Sequence, residues 1–116
     1  MRHNESKLQQ QCIKWICLQY PNIICMAIPN GGKRSRTEAA IMKAEGVYAG
    51  AADLFIPLCN GKWYGLFIEM KSKTGRLTDN QMAFRDKVLY NRYSYVVCRD
   101  LDEFVIKIND YMSLVT

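Results

Sequence analysis

Histidine and paired cysteines are what this 116-residue chain has least of. His3 is the only histidine, and none of the five cysteines belongs to a C-x-x-C pair. Zinc sites need clustered histidine and cysteine ligands, so we expect no zinc, and nothing in the sequence indicates an organic cofactor. An odd number of scattered cysteines also argues against a disulfide framework and favours structural thiols.

Long apolar runs are missing as well. No run approaches the ~18 to 20 residues of a membrane span, and the N-terminal segment M-R-H-N-E-S-K is too polar for a signal peptide. We therefore expect a cytoplasmic protein without a membrane partner. The chain contains no repeat, low-complexity tract or linker, and its length suits one domain with a modest core.

Acidic residues are fewer than basic ones. The 16 Lys and Arg residues exceed the 11 Asp and Glu residues, which gives a formal net charge of +5. Such a balance suits a polyanionic partner, and nucleic acid is the first to consider. Many basic proteins bind no nucleic acid, so the positions of the charges matter more than their sum.

Hydrophobic periodicity predicts the order helix, strand, helix, strand, strand, helix, strand, helix. The predicted helices cover residues 4–19, 35–46, 78–90 and a last segment from residue 100 or 102, and the predicted strands cover residues 23–28, 53–59, 63–70 and 94–98. The first strand is expected to be buried. We expect an α/β fold in which helices flank a small mixed sheet of about four strands.

The two middle strands form a predicted hairpin that carries charge at its outer ends. Residues 53–71 read D-L-F-I-P-L-C-N-G-K-W-Y-G-L-F-I-E-M-K, with Asp53, Glu69 and Lys71 at the ends of strongly apolar runs. Charged groups are costly to desolvate, so these three need an explanation. Alternation along a strand places Glu69 and Lys71 on the same face, about 7 Å apart.

The position of Asp53 depends on the register of this hairpin. A two-residue Asn60-Gly61 turn places Asp53 opposite Ile68, facing away from Glu69. A three-residue loop, which adds Lys62, places Asp53 directly opposite Glu69, where the Cβ atoms of opposed residues are about 5 Å apart. A shift of one residue exchanges the two faces, so the sequence leaves both alternatives open.

The charges have two interpretations. In the first, Glu69 and Lys71 form an ion pair at a solvated edge and Asp53 ends a strand. In the second, the two carboxylates converge on a hard divalent cation such as Mg²⁺, which prefers oxygen ligands. Such an ion activates water for attack on phosphorus, and Lys71 would orient that water or stabilise the transition state. The apolar strands and the basic residues that follow favour the second interpretation.

The residues around the hairpin resemble the PD-(D/E)xK nuclease superfamily, in which Asp53 matches the first acidic position and residues 69–71 match E-x-K. Within that superfamily, the chain is more similar to the VRR-NUC domain family. The similar stretches are the helix before the hairpin and the segments I28-P-N-G-G32, G50-A-A-D53-L, I68-E-M-K71 and L77-T-D-N-Q81. The resemblance implies a restriction-endonuclease-like α/β core, formed by a single VRR-NUC-like domain over residues 1–116.

The resemblance also implies a function. It predicts a metal-dependent endodeoxyribonuclease that hydrolyses phosphodiester bonds with Mg²⁺, for which Mn²⁺ can substitute. Stand-alone members are typical of bacteria and bacteriophages and are associated with homodimers and with branched DNA such as four-way (Holliday) junctions. We therefore expect a structure-selective homodimer that acts inside a bacterial or phage-infected cell.

Residue roles follow from the resemblance by position. Asp53 and Glu69 would be metal ligands, assisted by the backbone carbonyl of Met70, and Lys71 would be the catalytic lysine. The chain departs from the family pattern at Ala52, where many members have proline before the aspartate. That difference removes a stiff turn residue but no ligand.

Glu5 and Gln81 match two further family positions, an acidic residue on the first helix and a glutamine. Glu5 is in line with Leu8 and Cys12 at helical spacing, so it points toward the sheet and fits a place in the catalytic and metal site. A first-turn glutamate also complements the helix dipole without any chemistry. Gln81 could contact the site from the start of its helix, or only complete a capping box with Thr78.

Basic residues flank the proposed site on two segments and are predicted to contact DNA phosphates. Glycines in the first segment also let backbone amides approach a phosphate closely. The predicted DNA-binding residues are Asn30, Gly31, Gly32, Lys33, Arg34, Arg36, Lys73 and Arg76. The alternative is that both segments are solvated surface.

Three other functions stay open at this point. A non-catalytic nucleic-acid-binding module could keep the fold and the basic surface, although it would be expected to lose an acidic ligand or the lysine. A nuclease with less selectivity would cut DNA of several structures. A restriction-type nuclease would read a specific sequence, but the chain has no obvious base-reading element.

Overall fold

The computed structural model of the chain describes residues 3–29 and 35–116. The described residues form one mixed sheet whose strands are β1 (Met26–Ala27), β2 (Leu54–Ile56), β3 (Leu66–Met70) and β4 (Ser94–Cys98). The strands are hydrogen-bonded in that same spatial order. The β1–β2 and β2–β3 pairs are antiparallel, and the β3–β4 pair is parallel. This confirms the predicted mixed four-stranded sheet.

Helices flank the sheet, as predicted. They are α1 (His3–Gln19), α2 (Arg36–Ala44), α3 (Asp79–Tyr90) and α4 (Leu101–Met112). Since parallel neighbours cannot be joined by a tight turn, α3 forms the connection between β3 and β4. In the part of the chain that the structure describes, no helix is both long and apolar enough to cross a membrane.

Each of the last three helices begins at a side-chain cap. Ser35 and Asp100 accept a hydrogen bond from the backbone N–H three residues later, and Thr78 forms a complete capping box with Gln81. Such caps satisfy N–H groups that have no partner within the helix, and each stabilises the helix by about 1 kcal/mol. The sequence therefore predicted these helix starts from local hydrogen bonding.

One face of the sheet carries the aliphatic core. Alternate residues of β3, namely Leu66, Ile68 and Met70, are at most 1% exposed. Helices α1 and α4 cover this face, and the residues that they contribute to the core include Cys12, Ile16, Phe104, Ile108 and Tyr111. This layer accounts for most of the buried apolar surface, which is the main favourable term in folding.

The other face is aromatic. The rings of Phe55 and Phe67 stack with centroids 4.4 Å apart across β2 and β3. Phe84 of α3 meets Phe67 edge-on at 5.2 Å and lies 6.4 Å from Tyr95 of β4. We call this side of the sheet, with Phe55, Phe67, Phe84 and Tyr95, the aromatic face. Helix α3 packs over it, so the sheet lies between two helical layers.

The connection between the two hairpin strands is longer than predicted, because β2 ends at Ile56 and β3 begins only at Leu66. Asn60 organises it from a buried position, with 4% of its surface exposed. Its Oδ1 accepts from the N–H groups of Lys62 and Trp63 at 3.0 and 2.8 Å. Its Nδ2 donates to the carbonyl of Tyr111 at 3.2 Å. These contacts, rather than a three-residue turn, fix the connection.

Strand β1 differs from its prediction in length and burial. The apolar run at residues 23–28 pairs only through Met26 and Ala27, and 44% of Met26 is exposed. The prediction of a buried strand is wrong because β1 lies at the edge of the sheet, next to β2 alone. Helix α2 likewise has no buried residue, despite its apolar pattern.

Candidate active site

Asp53 and Glu69 face each other across the β2–β3 hairpin. The pairing of Leu54 with Ile68 and of Phe55 with Phe67 continues outward to this pair. The N–H of Asp53 donates to the carbonyl of Ile68 at 3.1 Å. Of the two registers that the sequence left open, the structure has the converging one, although the connection that sets it is not a three-residue turn.

The backbone of β3 also holds the aspartate side chain. The N–H of Met70 donates to Oδ2 of Asp53 at 2.7 Å. This bond points the carboxylate across the hairpin toward Glu69, whose side chain is almost fully buried, at 3% exposure. A buried glutamate and a half-buried aspartate thus lie side by side on the aromatic face of the sheet.

Burial raises the pKa of both carboxyl groups. For Asp53, desolvation outweighs the hydrogen bond from Met70, which lowers the pKa. For Glu69, desolvation is again the largest cause, and the neighbouring carboxyl group of Asp53 raises the pKa further. Lys71 lowers the pKa of each. Two carboxylates this close cannot both ionise readily, so the pair favours a bound positive charge.

Gln81 contacts the pair from the first turn of α3. Its Nε2 donates to Oε2 of Glu69 at 3.3 Å. Its Oε1 accepts from the N–H of Thr78 at 2.9 Å, which completes the capping box. Both explanations offered by the sequence therefore hold, because one side chain starts the helix and positions the acidic residue.

Gly50 allows α3 to approach the hairpin this closely. A Cβ atom at this glycine would lie 2.4 Å from the backbone carbonyl of Asn80 and 2.7 Å from the backbone nitrogen of Gln81. Its φ of +81° also belongs to the left-handed region that favours glycine. The glycine was part of the matched G50-A-A-D53 segment, but the close approach that requires it was not evident from the sequence.

The donor set fits a hard cation that keeps much of its water. Within residues 3–29 and 35–116, Oε1 of Glu69 is buried and has no hydrogen-bond partner. Over the same residues, no group of three or more His, Cys, Asp or Glu side chains is close enough to hold a metal ion. Mg²⁺ is commonly held by one or two carboxylates and several waters, which is what Asp53 and Glu69 offer.

Lys71 and Glu5 border a cleft of about 300 Å³ between α1 and the segment after β3. Glu5 is close enough to raise the pKa of Glu69 slightly, as the smallest of the causes. Among the described residues it does not join Asp53 and Glu69 in a three-ligand group. The structure therefore brings Glu5 to the same end of the sheet, beside Lys71.

The predicted DNA-binding residues are only partly described. Asn30, Gly31, Gly32, Lys33 and Arg34 lie outside the described residues. Arg36 at the start of α2 is exposed, and so are Lys73 and Arg76 on the segment after β3. That segment follows Lys71, and Lys73 lines the same cleft.

Arg99 holds the basic segment in place, and the sequence analysis missed it. Its Nη1 donates to the carbonyls of Ser72 and Gly75 at 2.7 and 2.6 Å. Its own N–H donates to Glu103 at 2.7 Å. The two bonds to Ser72 and Gly75 join residues 27 and 24 positions apart, and no local pattern in the sequence predicted them.

Tyr95 of β4 belongs to the aromatic face, and its hydroxyl lies on the site side of the sheet. In the described part of the chain, this buried hydroxyl has no hydrogen-bond partner. Burial raises its pKa, and the carboxylates of Glu69 and Asp53 add to that effect. The side chain therefore lies within electrostatic reach of both acidic groups.

The cysteines take no part in this site. All five are free thiols, and Cys12 and Cys98 are buried in the aliphatic core. Burial raises the pKa of Cys12, Cys25 and Cys98 to about 12. Such thiols are protonated at neutral pH and are poor nucleophiles.

An α/β core with two facing carboxylates on a hairpin, a lysine two residues after the second, and helices on both faces defines the PD-(D/E)xK nuclease fold. The model of the VRR-NUC domain family matches residues 2–100. The chain belongs to the VRR-NUC domain family, and it is therefore a nuclease-fold domain.

A solved structure supports the same assignment. It is described as a VRR-NUC domain protein, is 25% identical in sequence and superposes with a TM-score of 0.81. The match covers 99% of this chain and 93% of that one. A search of curated proteins gives no significant match.

Proposed function

We propose that the chain is a divalent-metal-dependent endonuclease that hydrolyses phosphodiester bonds in DNA. The observation that carries the proposal is the pair of carboxylates, half-buried Asp53 and buried Glu69, held face to face across the hairpin. Membership of a nuclease-fold family supports this chemistry for the pair. The unpartnered Oε1 of Glu69 supports a ligand that the protein itself does not supply.

Asp53 and Glu69 would hold Mg²⁺ or Mn²⁺ through their oxygens, with the backbone carbonyl of Met70 as the proposed third ligand. When bound, such an ion polarises a phosphate oxygen and lowers the pKa of a water molecule. The residues around the pair prepare it for that ligand. The N–H of Met70 fixes Asp53, and Gln81 fixes one oxygen of Glu69.

Lys71 would act on the reacting phosphate. Its ammonium group lies close enough to lower the pKa of both carboxyl groups, and it borders the cleft that Glu5 also lines. In that place it would stabilise negative charge that develops on the phosphate, or orient the attacking water. We propose that Glu5 acts at the opposite wall of the cleft, on water rather than as a direct ligand.

DNA would approach along the segment after β3. Lys73 and Arg76 are exposed there, and Arg99 holds the segment through two backbone carbonyls. Cations on an ordered segment contact the phosphate backbone and set the position of the duplex without reading sequence. This arrangement supports recognition of DNA structure rather than of a base sequence.

We further propose that the substrate is branched DNA, such as a four-way junction, and that the active form is a homodimer. The chain measures 45 × 30 × 26 Å and carries one carboxylate pair on its hairpin. A two-fold pair of chains would present two such sites to two strands. The size of the chain and its family support this proposal.

The test is cleavage of labelled four-way junction, flap, duplex and single-stranded DNA, with Mg²⁺, with Mn²⁺ and with EDTA. Glu69→Gln and Lys71→Ala would run beside Lys62→Ala, an exposed lysine at the far end of the same hairpin. We expect paired incisions in the junction that EDTA and the first two substitutions abolish, while Lys62→Ala cuts normally. Tight DNA binding without metal-dependent cutting of any substrate would instead indicate a binding module.

A further inference from the structure

Two buried oxygen atoms without a partner lie on the same side of the sheet. Among the described residues they are Oε1 of Glu69 and the hydroxyl of Tyr95. Paired residues of parallel strands point to the same face, and the pairs Phe67–Tyr95 and Glu69–Val97 fix the register. Tyr95 and Glu69 are therefore diagonal neighbours on the aromatic face. Strand spacing and rise separate their backbones by about 8 Å, within reach of an aromatic side chain.

The hydroxyl of Tyr95 is a hydrogen-bond donor on the aromatic face. The ring of Tyr95 lies 6.4 Å from that of Phe84, which limits its movement. A tyrosine hydroxyl carries its proton at neutral pH and can donate a hydrogen bond to an acceptor. Leaving such a buried group unpaired destabilises a protein, so it usually has a specific role.

Glu69 has the matching acceptor. Gln81 donates to Oε2 and leaves Oε1 without a partner in the described structure. A carboxylate accepts about four hydrogen bonds in all, so it can bind a cation and a hydroxyl together. Groups that bond to a metal ligand fix its orientation, and their loss typically weakens metal affinity 10- to 100-fold.

We propose that Tyr95 is a positioning residue for Glu69, whose carboxylate is linked to the Tyr95 hydroxyl by hydrogen bonds through one buried water. Gln81 from α3 and Tyr95 from β4 then hold the carboxylate from two sides, which fixes it for a divalent cation. This role rests on the proposed metal site. It assigns a specific function to a tyrosine of β4 that no sequence motif had identified.

The test uses Tyr95→Phe in the full chain, with Tyr93→Phe as its matched control. Each substitution removes one hydroxyl group. The ring of Tyr93 belongs to the same group of aromatic side chains, with its centroid 5.7 Å from that of Phe67. Mn²⁺ affinity would be measured by electron paramagnetic resonance, and Tm would be measured in EDTA and in saturating Mn²⁺. We expect Tyr95→Phe to bind Mn²⁺ about 10-fold more weakly, with no loss of Tm in EDTA. Tyr93→Phe should bind Mn²⁺ as the unchanged chain does.

Cleavage at increasing Mn²⁺ gives a second readout. If Tyr95 acts through the metal ligand, a high Mn²⁺ concentration should restore the cleavage rate of Tyr95→Phe. Equal Mn²⁺ affinity of the two variants would overturn the proposal, and so would a lower Tm of Tyr95→Phe in EDTA with unchanged affinity. If even the unchanged chain bound no Mn²⁺, the proposed metal site itself would fail. Binding that Glu69→Gln abolishes and Tyr95→Phe leaves intact would refute the role of Tyr95 alone.

Discussion

Gly50 lies so close to Asn80 that a Cβ atom on the glycine would be 2.4 Å from the carbonyl group of the asparagine. The contact joins the segment before β2 to the first turn of α3. Because Gln81 follows Asn80, the glycine controls how near the glutamine comes to Glu69. A backbone contact outside the acidic pair therefore sets the geometry of the site.

Gly50→Ala should both unfold the chain more easily and disturb the site. The left-handed φ and the clash together are expected to lower the free energy of unfolding by about 2 kcal/mol or more. Gly61→Ala is the control, because its φ is +92° and no atom lies within 4 Å of an added Cβ, so only the conformational term of about 1 kcal/mol applies. Urea unfolding measures the free energy of unfolding of both variants. If Gly50→Ala and Gly61→Ala lowered it equally, the approach of α3 to Gly50 would not be tight.

The stability of the chain should fall as pH rises in EDTA. In the folded chain the pKa of Glu69 is raised above its ordinary value of 4.5, so the folded state keeps a proton that the unfolded state releases. The free energy of unfolding then decreases above about pH 4.5, by at most about 1.4 kcal/mol per pH unit. Below that pH the contribution of this group is fully present.

Glu69→Gln tests this pH dependence, because an amide does not titrate. In EDTA the variant and the unchanged chain should be about equally stable at pH 5, and the variant should be the more stable at pH 8. Urea unfolding at both pH values gives the comparison. Parallel pH profiles would mean that the carboxyl group titrates normally in the folded chain.

The two functions of Gln81 can be separated by substitution. Gln81→Ala and Thr78→Ala each remove one arm of the capping box, and each should lower the free energy of unfolding by about 1 kcal/mol. Only Gln81→Ala also removes the hydrogen bond to Glu69. We expect it to slow metal-dependent cleavage about 10-fold, while Thr78→Ala cuts at nearly the normal rate below its Tm. Similar rates would leave the glutamine as a capping residue alone.

Lys73→Ala and Arg76→Ala should weaken DNA binding without changing the fold, because both side chains are exposed. Each substitution removes one phosphate contact, so the slope of log Kd against log salt concentration should decrease by about 1. Fluorescence anisotropy in EDTA at several salt concentrations measures it. An unchanged slope, equal to that of the Lys62→Ala control, would mean that this segment is solvated surface.

Much of the fold followed from local patterns in the sequence. Caps such as Thr78 with Gln81 predicted helix starts, and the apolar alternation of β3 predicted which side chains share a face with Glu69. The extent of the hairpin strands was not predictable in this way. Asn60 bonds to the carbonyl of Tyr111, 51 residues away, and such a contact leaves no local pattern.

The candidate site, like the fold, was predictable only in part. The sequence identified Asp53, Glu69 and Lys71 by residue type and spacing, and it left the register open. The structure adds what depends on packing between elements: the burial of Glu69, the reach of Gln81 across 12 residues, and the side-chain environment of Tyr95. These depend on the closeness of α3 and β4 to the hairpin, which composition and periodicity do not encode.

The two faces of β3 also restrict how the chain can vary in length over evolution. Insertion of one residue within β3, ahead of Ile68, would turn Ile68 and Met70 toward α3 and Glu69 toward the aliphatic core, so both stability and the site would be lost together. At Gly61, where an added side chain meets open space, an extra residue would alter the turn around Asn60 but would leave the pairing of β2 with β3 unchanged. Inherited insertions in related chains should therefore collect at the tip of this hairpin and be excluded from its strands.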